Sequence, residues 1–275
     1  MVIGIVGLGL MGGSLGLALK STMEDVKLVG FDHNKIHCEE ANKLGFVDEI
    51  VSFDILKKSD VIILAIPVEA IIKTFENLKD IEPDTTIIDL GSTKAKIVAL
   101  TPKEIETNLV AAHPMAGIEK FGPNAAFGEL YAGQVVVLCD IEKNSPLHKQ
   151  RAIDIFNALK MKIVYMNAKA HDLHAAYISH LPHAISYALA NSVLKQEDPK
   201  SILALAAGGF RDMSRIAKSS PNMWSDIFQQ NSTNLLHAIE GFERELTTVK
   251  KMIKEEDDEG LKKWMRSATT LHKIL

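Results

Sequence analysis

The 275-residue chain is long enough for two domains of ordinary size. Hydrophobic residues make up 47% and charged residues 24%, and 31 Lys and Arg against 35 Asp and Glu leave a net charge of −4. That balance argues against a nucleic-acid partner, which would call for a basic stripe. Two cysteines, Cys38 and Cys139, make neither a disulfide framework nor a metal site, and a reducing cytoplasm is the simplest compartment.

Residues 1–19 carry no charge, but no Lys or Arg precedes the apolar part and no small-residue cleavage site follows it. No other apolar run reaches bilayer length. The expectation is a soluble, complete chain without export or membrane contact. β-type runs follow one another at 2–6, 27–31, 61–66, 85–90, 109–112, 134–138 and 163–165. Several are nearly all apolar, as strands buried on both faces are. Helical patterns lie between them, for example at 35–44 and 145–159. This alternation predicts an α/β dinucleotide-binding (Rossmann) domain over residues 1–168, with a mostly parallel sheet. Beyond it the β signal stops, and residues 169–275 are expected to form an all-α domain, interrupted at 208–221 and 255–260. Ser220-Pro221 reads as a helix start, with Ser as cap and Pro in the first turn. After it Phe228, Leu235, Phe242 and Val249 recur every seven residues, as do Ile239, Leu246 and Ile253. That seam fits an intersubunit coiled coil and a helix packed within its own domain equally well.

Gly7-Leu8-Gly9-Leu10-Met11-Gly12 is a G-x-G-x-x-G placed after the first strand and opening a helix at 13–20. Gly7 suits the tight turn, Gly9 the approach of a pyrophosphate, and Gly12 the close packing of helix on strand. The helix N-terminus offers free N–H groups to phosphate. Asp32 ends the second strand and can accept from a ribose 2′-hydroxyl while repelling a 2′-phosphate, so NAD is expected over NADP. The alternative is a glycine-rich turn with no cofactor; strand, glycines, helix and acid in register argue against it. Pro67 and Gly91-Ser92-Thr93-Lys94 follow two further strand ends, where α/β sheets bind ligands. Ser92 fits a substrate contact or a simple helix cap.

His113-Pro114-Met115-Ala116-Gly117 follows the strand at 109–112. A histidine there can take a hydroxyl proton while hydride leaves the same carbon; it can equally be a solvent-facing loop residue. Farther on, at 100° per residue, Asp172, Ser179, His183 and Ser186 share one side of a helix, opposite Ile178, Leu181, Ile185 and Leu189. The polar side lacks Lys and Glu, so it is expected to face a polar cavity, with a kink at Pro182. His171/His174 and His180/His183 suggest a metal site, but the pairs point to opposite sides, so no metal is expected. The loop at 208–218 concentrates Arg211, Arg215 and Lys218, either as a carboxylate clamp or as a solvated turn.

Taken together, Gly91-Ser92-Thr93-Lys94, His113-Pro114-Met115-Ala116-Gly117 with Glu119-Lys120, Ser179-His180-Leu181-Pro182-His183, and Gly208-Gly209-Phe210 running to Arg215-Ile216-Ala217 and Trp224 resemble the prephenate and arogenate dehydrogenases, in order and spacing. The resemblance covers essentially the whole chain. It implies a monofunctional, NAD-dependent oxidative decarboxylation of prephenate to 4-hydroxyphenylpyruvate in tyrosine biosynthesis, with arogenate as the alternative substrate. It implies His113 as proton acceptor, Ser92 positioning it or the hydroxyl, and Arg215 as carboxylate clamp. Asp172, Ser179 and His183 would line the substrate side, with Trp224 and Arg211 nearby and Glu119 and Asp212 as gate residues. Ile118 takes the place of a polar residue in the family pattern, and Arg211 that of a lysine. The apolar seam and the helical half imply a homodimer through the C-terminal helices. A non-catalytic NAD-binding sensor is the reading from another class; His113 and Arg215 argue against it.

Overall fold

The computed structural model describes residues 1–274; Leu275, the last residue of the expected helical domain, lies outside the described residues. Eight strands, β1 (Val2–Val6), β2 (Lys27–Phe31), β3 (Glu49–Ile50), β4 (Val61–Leu64), β5 (Thr86–Asp89), β6 (Leu109–Pro114), β7 (Val135–Cys139) and β8 (Lys162–Met166), form one sheet in the order 3-2-1-4-5-6-7-8. Neighbours run parallel except β6 and β7. The strand pattern explains the double burial. In β4, Val61 and Ile63 pack into one apolar cluster, while Ile62 and Leu64 pack into the cluster on the other face.

Helices cover both faces: α1 (Leu10–Thr22), α2 (Lys35–Leu44), α3 (Phe53–Leu56), α4 (Val68–Thr74), α5 (Ala95–Leu100) and α6 (Pro146–Ala158). α2 shows why boundaries fall where they do. The Asn34 side chain accepts from the Ile36 N–H at its start, and Gly45, at φ 73°, ends it in the left-handed region. The chain order reverses between β1 and β4, and the cofactor-type cavity described below opens there, beyond the carboxyl ends of the strands.

The C-terminal half is helical: α7 (Ala168–Ala175), a π turn (Ala176–His180), α8 (Leu181–Leu194), α9 (Pro199–Ala204), α10 (Gly208–Ser214), a 3₁₀ turn (Arg215–Lys218), α11 (Pro221–Gln230), α12 (Ser232–Lys254) and α13 (Asp258–Thr269). Two sequence expectations change here. The stretch at 208–221 is largely α10 and its 3₁₀ continuation, because Gly208 and Gly209 sit in the first turn and Phe210 to Ser214 carry the helix on. The seam is broken at Asn231, so Phe228 and Leu235 lie on different helices. Leu235 is buried, whereas Leu246 and Ile253 are exposed on this chain. α13 folds back on α12, with the Trp264 indole N–H donating to Glu245 Oε2 at 2.8 Å.

The halves are joined by α11. Asp226 Oδ2 accepts from the Glu69 N–H (3.2 Å) in the first turn of α4, and Gln230 Nε2 donates to Glu69 Oε2 at 3.0 Å.

Candidate active site

The glycine loop is built by sterics. Gly7 has φ 92°, and a Cβ there would come within 2.5 Å of the Ala65 carbonyl oxygen. A Cβ on Gly12 would lie 1.8 Å from the Gly7 carbonyl oxygen, so only glycine lets α1 start this close to β1. A Cβ on Gly9 would meet nothing within 4 Å. Gly7 and Gly9 border an open cavity of about 910 Å³, whose wall also holds Asp32, His33, His37 and Pro67. Leu8 and Leu10 turn their side chains into the core, with Met11 packed against it, so these three contribute backbone. Asp32 Oδ2 accepts from the Leu8 N–H at 2.8 Å, and its Oδ1 from the Asn34 N–H at 2.8 Å, which fixes the carboxylate at the rim. His37 Nδ1 lies 3.1 Å from Oδ2, so the acceptor direction that remains for a ribose hydroxyl is on Oδ1. The open space at Gly9, the α1 N-terminus and the fixed acid fit a dinucleotide.

Three strands from β1 in the same sheet, β6 carries His113 one residue before its end, and this side chain is only 8% exposed. Its Nδ1 lies 2.8 Å from His171 Nε2, and His171 Nδ1 lies 2.8 Å from Asp172 Oδ1. Asp172 also accepts from the backbone N–H of Lys94 (2.7 Å, Oδ1) and of Ala95 (2.9 Å, Oδ2), where α5 begins. A carboxylate accepts only, so His171 donates from Nδ1 and accepts at Nε2. His113 then donates from Nδ1, and its Nε2 carries a free lone pair. No protein group among the described residues bonds that nitrogen. Burial, reinforced by His171, Lys94 and His180, holds His113 well below the ordinary 6.5 of histidine. It is therefore a neutral base at neutral pH.

Beneath this relay Lys94 is wholly buried. Its Nζ donates to Asp89 Oδ1 and, at 2.7 Å, to the carbonyl oxygen of Ala112, the residue before His113. Ser92 is half-buried and does not cap α5; Lys94 stands at the cap position and Asp172 supplies the acceptor.

The helical half carries the other predicted side chains. His183 stacks on Trp224 with ring centroids 3.4 Å apart, and its Nδ1 donates to the Ser179 carbonyl at 2.9 Å. Burial lowers its pKa. His180 is fully buried, with Nδ1 accepting from Asn231 Nδ2 at 3.2 Å, and burial pushes its pKa down to about 4. Arg215, 54% exposed, holds Glu119 Oε2 at 3.0 Å. Arg211 donates to the Ala206 carbonyl at 3.1 Å, and Asp212 is exposed.

The nucleotide-binding domain of the prephenate dehydrogenase family matches residues 15–165, and that family's dimerization domain matches residues 167–267. The chain belongs to the prephenate dehydrogenase family. It is 32% identical over 271 residues to the prephenate dehydrogenase of Bacillus subtilis (strain 168), covering 96% of this chain and 73% of that one. It is 30% identical to the cyclohexadienyl dehydrogenase of Zymomonas mobilis, over 94% of this chain and 90% of the relative. Its fold matches the crystal structure of A. aeolicus prephenate dehydrogenase in complex with hydroxyphenyl propionate and NAD+, with a TM-score of 0.89, 31% identity, and coverage of 100% and 98% of the two chains.

Within this prephenate dehydrogenase framework, the polar stripe departs from the sequence expectation. The π turn at Ala176–His180 breaks the 100° phase on which the polar stripe was drawn. Asp172 is buried against His171 and the start of α5, and Ser186 is buried, while Ile178 is exposed. Two residues escaped the sequence reading. His171 was visible only as half of a His pair, and its partner His113 is 58 residues away. Lys94 reads as an ordinary loop lysine until β5 and β6 are set side by side.

Proposed function

We propose that the chain is an NAD-dependent prephenate dehydrogenase of tyrosine biosynthesis that releases 4-hydroxyphenylpyruvate. The observation that carries this reading is the buried Asp172–His171–His113 relay, which ends in an unprotonated Nε2 on the cofactor edge of the sheet. NAD+, when bound, supplies the hydride acceptor. In the reaction the ring carbon bearing the hydroxyl gives up hydride, the ring carboxylate leaves as carbon dioxide, and its bonding electrons complete the aromatic ring. His113 takes the hydroxyl proton at Nε2 and returns it to the phenolate oxygen, so the enzyme ends as it began. His171 and Asp172 stabilise the transient imidazolium. Ser92 orients the hydroxyl, and Arg215 exchanges Glu119 for a substrate carboxylate, a planar match that arginine makes well. His183, held by Ser179 and Trp224, walls the ring, while Asp212 and Arg211 border the entry with Glu119. Asp32 selects NAD against NADP.

Residues 1–168 serve the cofactor and 169–275 the substrate and dimer contact. Ile178, Leu205, Leu246 and Ile253 are exposed apolar residues that a partner copy would cover. A cytoplasmic setting fits the unpaired Cys38 and Cys139. No helix among the described residues is long and apolar enough to cross a membrane.

The test is NADH formation from prephenate and NAD+, with product identified as 4-hydroxyphenylpyruvate. Turnover of arogenate but not prephenate overturns the substrate assignment. A monomeric mass by light scattering at micromolar concentration overturns the dimer.

A further inference from the structure

A lysine with no exposed surface is rare, because removing its ammonium from water costs several kcal/mol. Lys94 meets that cost with Asp89, yet a buried ion pair adds little stability over an apolar pair of the same volume. The Asp89 pair is also incompletely satisfied: Oδ1 takes Lys94 and the Gly91 N–H, while Oδ2 has no partner among the described residues. Fold stability alone is a weak reason for such an arrangement. Its position supplies another. Lys94 touches the relay at both ends. Its backbone N–H binds Asp172 Oδ1 at 2.7 Å, and its Nζ binds the Ala112 carbonyl at 2.7 Å, one residue before His113.

We propose that Lys94 is a positioning residue for the His113 base, fixing the end of β6 from below through Ala112 and tying it to the Asp172 end of the relay. The proposal rests on His113 being the base. The effect is geometric first: with Ala112 held, His113 keeps its Nδ1 on His171 and its Nε2 toward the substrate side. It is also electrostatic. The charged and titratable groups around His113 are His171 on α7, His180 on the π turn, Lys94 before α5, and the carboxylates Asp172 and Asp89. Among them Lys94 opposes protonation of His113.

Lys94→Met alone would strand Asp89 without its counterion, so the test uses the neutral pair Asp89→Asn/Lys94→Met. It is compared with Asp89→Asn/Lys94→Gln, which removes the charge and keeps an N–H donor for the Ala112 carbonyl. Folding is checked by circular dichroism, and kcat is followed across pH. The Met pair is expected to lose about 10- to 100-fold in kcat, the scale of a displacement of about 1 Å at a reacting group, with KM for NAD+ within about twofold of wild type. Its acidic limb moves to higher pH. The Gln pair is expected to recover at least about threefold of the lost kcat while keeping the displaced limb. Wild-type kcat and limb in the folded Met pair overturn the proposal, as do equal losses in both pairs with an unmoved limb. If only the Gln pair folds, its limb decides. If neither folds, Lys94 is a folding determinant and the positioning role falls. His113→Asn separates this outcome from failure of the underlying reading: a limb that survives in His113→Asn means that His113 is not the base, whatever Lys94 does.

Discussion

His171→Phe removes both ring nitrogens and adds a little volume, and its consequence can be worked from single contacts. Two hydrogen bonds disappear, His113 Nδ1 to His171 Nε2 and His171 Nδ1 to Asp172 Oδ1, each at 2.8 Å. Asp172 keeps the N–H groups of Lys94 and Ala95, so the start of α5 stays capped. His113, in contrast, is left with a buried N–H and no acceptor. In the ground state that costs roughly 1–3 kcal/mol of stability. In the transition state His113 carries positive charge, and a hydrogen bond to a charged group contributes about 1.5–3 kcal/mol. At about 1.4 kcal/mol per decade, kcat should fall about 10- to 150-fold. The loss should sit in kcat, with KM for NAD+ nearly unchanged, because the glycine loop and Asp32 are untouched. The assay is NADH absorbance at saturating prephenate and NAD+, run below the melting temperature of the variant. A folded His171→Phe enzyme whose kcat stays within about threefold of wild type would refute the relay, and so would a loss confined to KM for NAD+.

His113→Asn cannot take a proton, and its kcat should fall by about 10²–10⁴; the wild type should show an acidic limb below the ordinary 6.5 of histidine, because burial depresses His113, and the variant should lose it. Asp32→Ser should narrow the preference for NAD+ over NADP+, measured as the ratio of kcat/KM values, and a wild type that uses NADP+ equally well refutes the role of the acid. Arg215→Ala should raise KM for prephenate by at least about tenfold with a smaller change in kcat, since a carboxylate clamp acts on binding; an unchanged KM ends the clamp assignment. Stability should also fall with acid. His180 titrates near 4 when folded and near 6.5 when unfolded, so the unfolded chain binds more protons between those values. Its contribution, roughly 3 kcal/mol, is complete above 6.5 and is lost as pH drops toward about 4. Thermal melts should show this, and His180→Gln should flatten the slope; melting temperatures that ignore pH over that window contradict it.

The sheet was legible because its strands are short apolar runs separated by patterned helices. Val61, Ile62, Ile63 and Leu64 announce a strand buried on two faces before any neighbour is known. β3 was not legible, since two residues carry no period. The glycine loop was legible because its chemistry is local: strand, turn, helix and Asp32 lie within one βαβ unit. The relay was not, because it joins β6 to α7 across 58 residues, and nothing in the neighbourhood of His113 names its partner. Asp172 shows the same limit from the other side. A regular helix would have carried it round to Ser179 and His183, and the π turn between them changes the phase. Lys94 is the extreme case, a charged residue whose burial depends on the side-by-side placement of β5 and β6.

α11 makes the two halves of this enzyme hard to inherit separately. Its Trp224 lies against His183, while its Asp226 and Gln230 grip Glu69 at the start of α4, a helix that lines the cofactor cavity through Ala70, Lys73 and Thr74. A chimera that takes residues up to β8 from one relative and the helices from another would pair an α4 with an α11 that had not been selected together. On the assignments proposed above, substrate preference would drift by changes around His183 and cofactor preference by changes around Asp32. Drift along α4 or α11 is a joint matter, because a new residue at position 69, 226 or 230 changes a contact between the two halves.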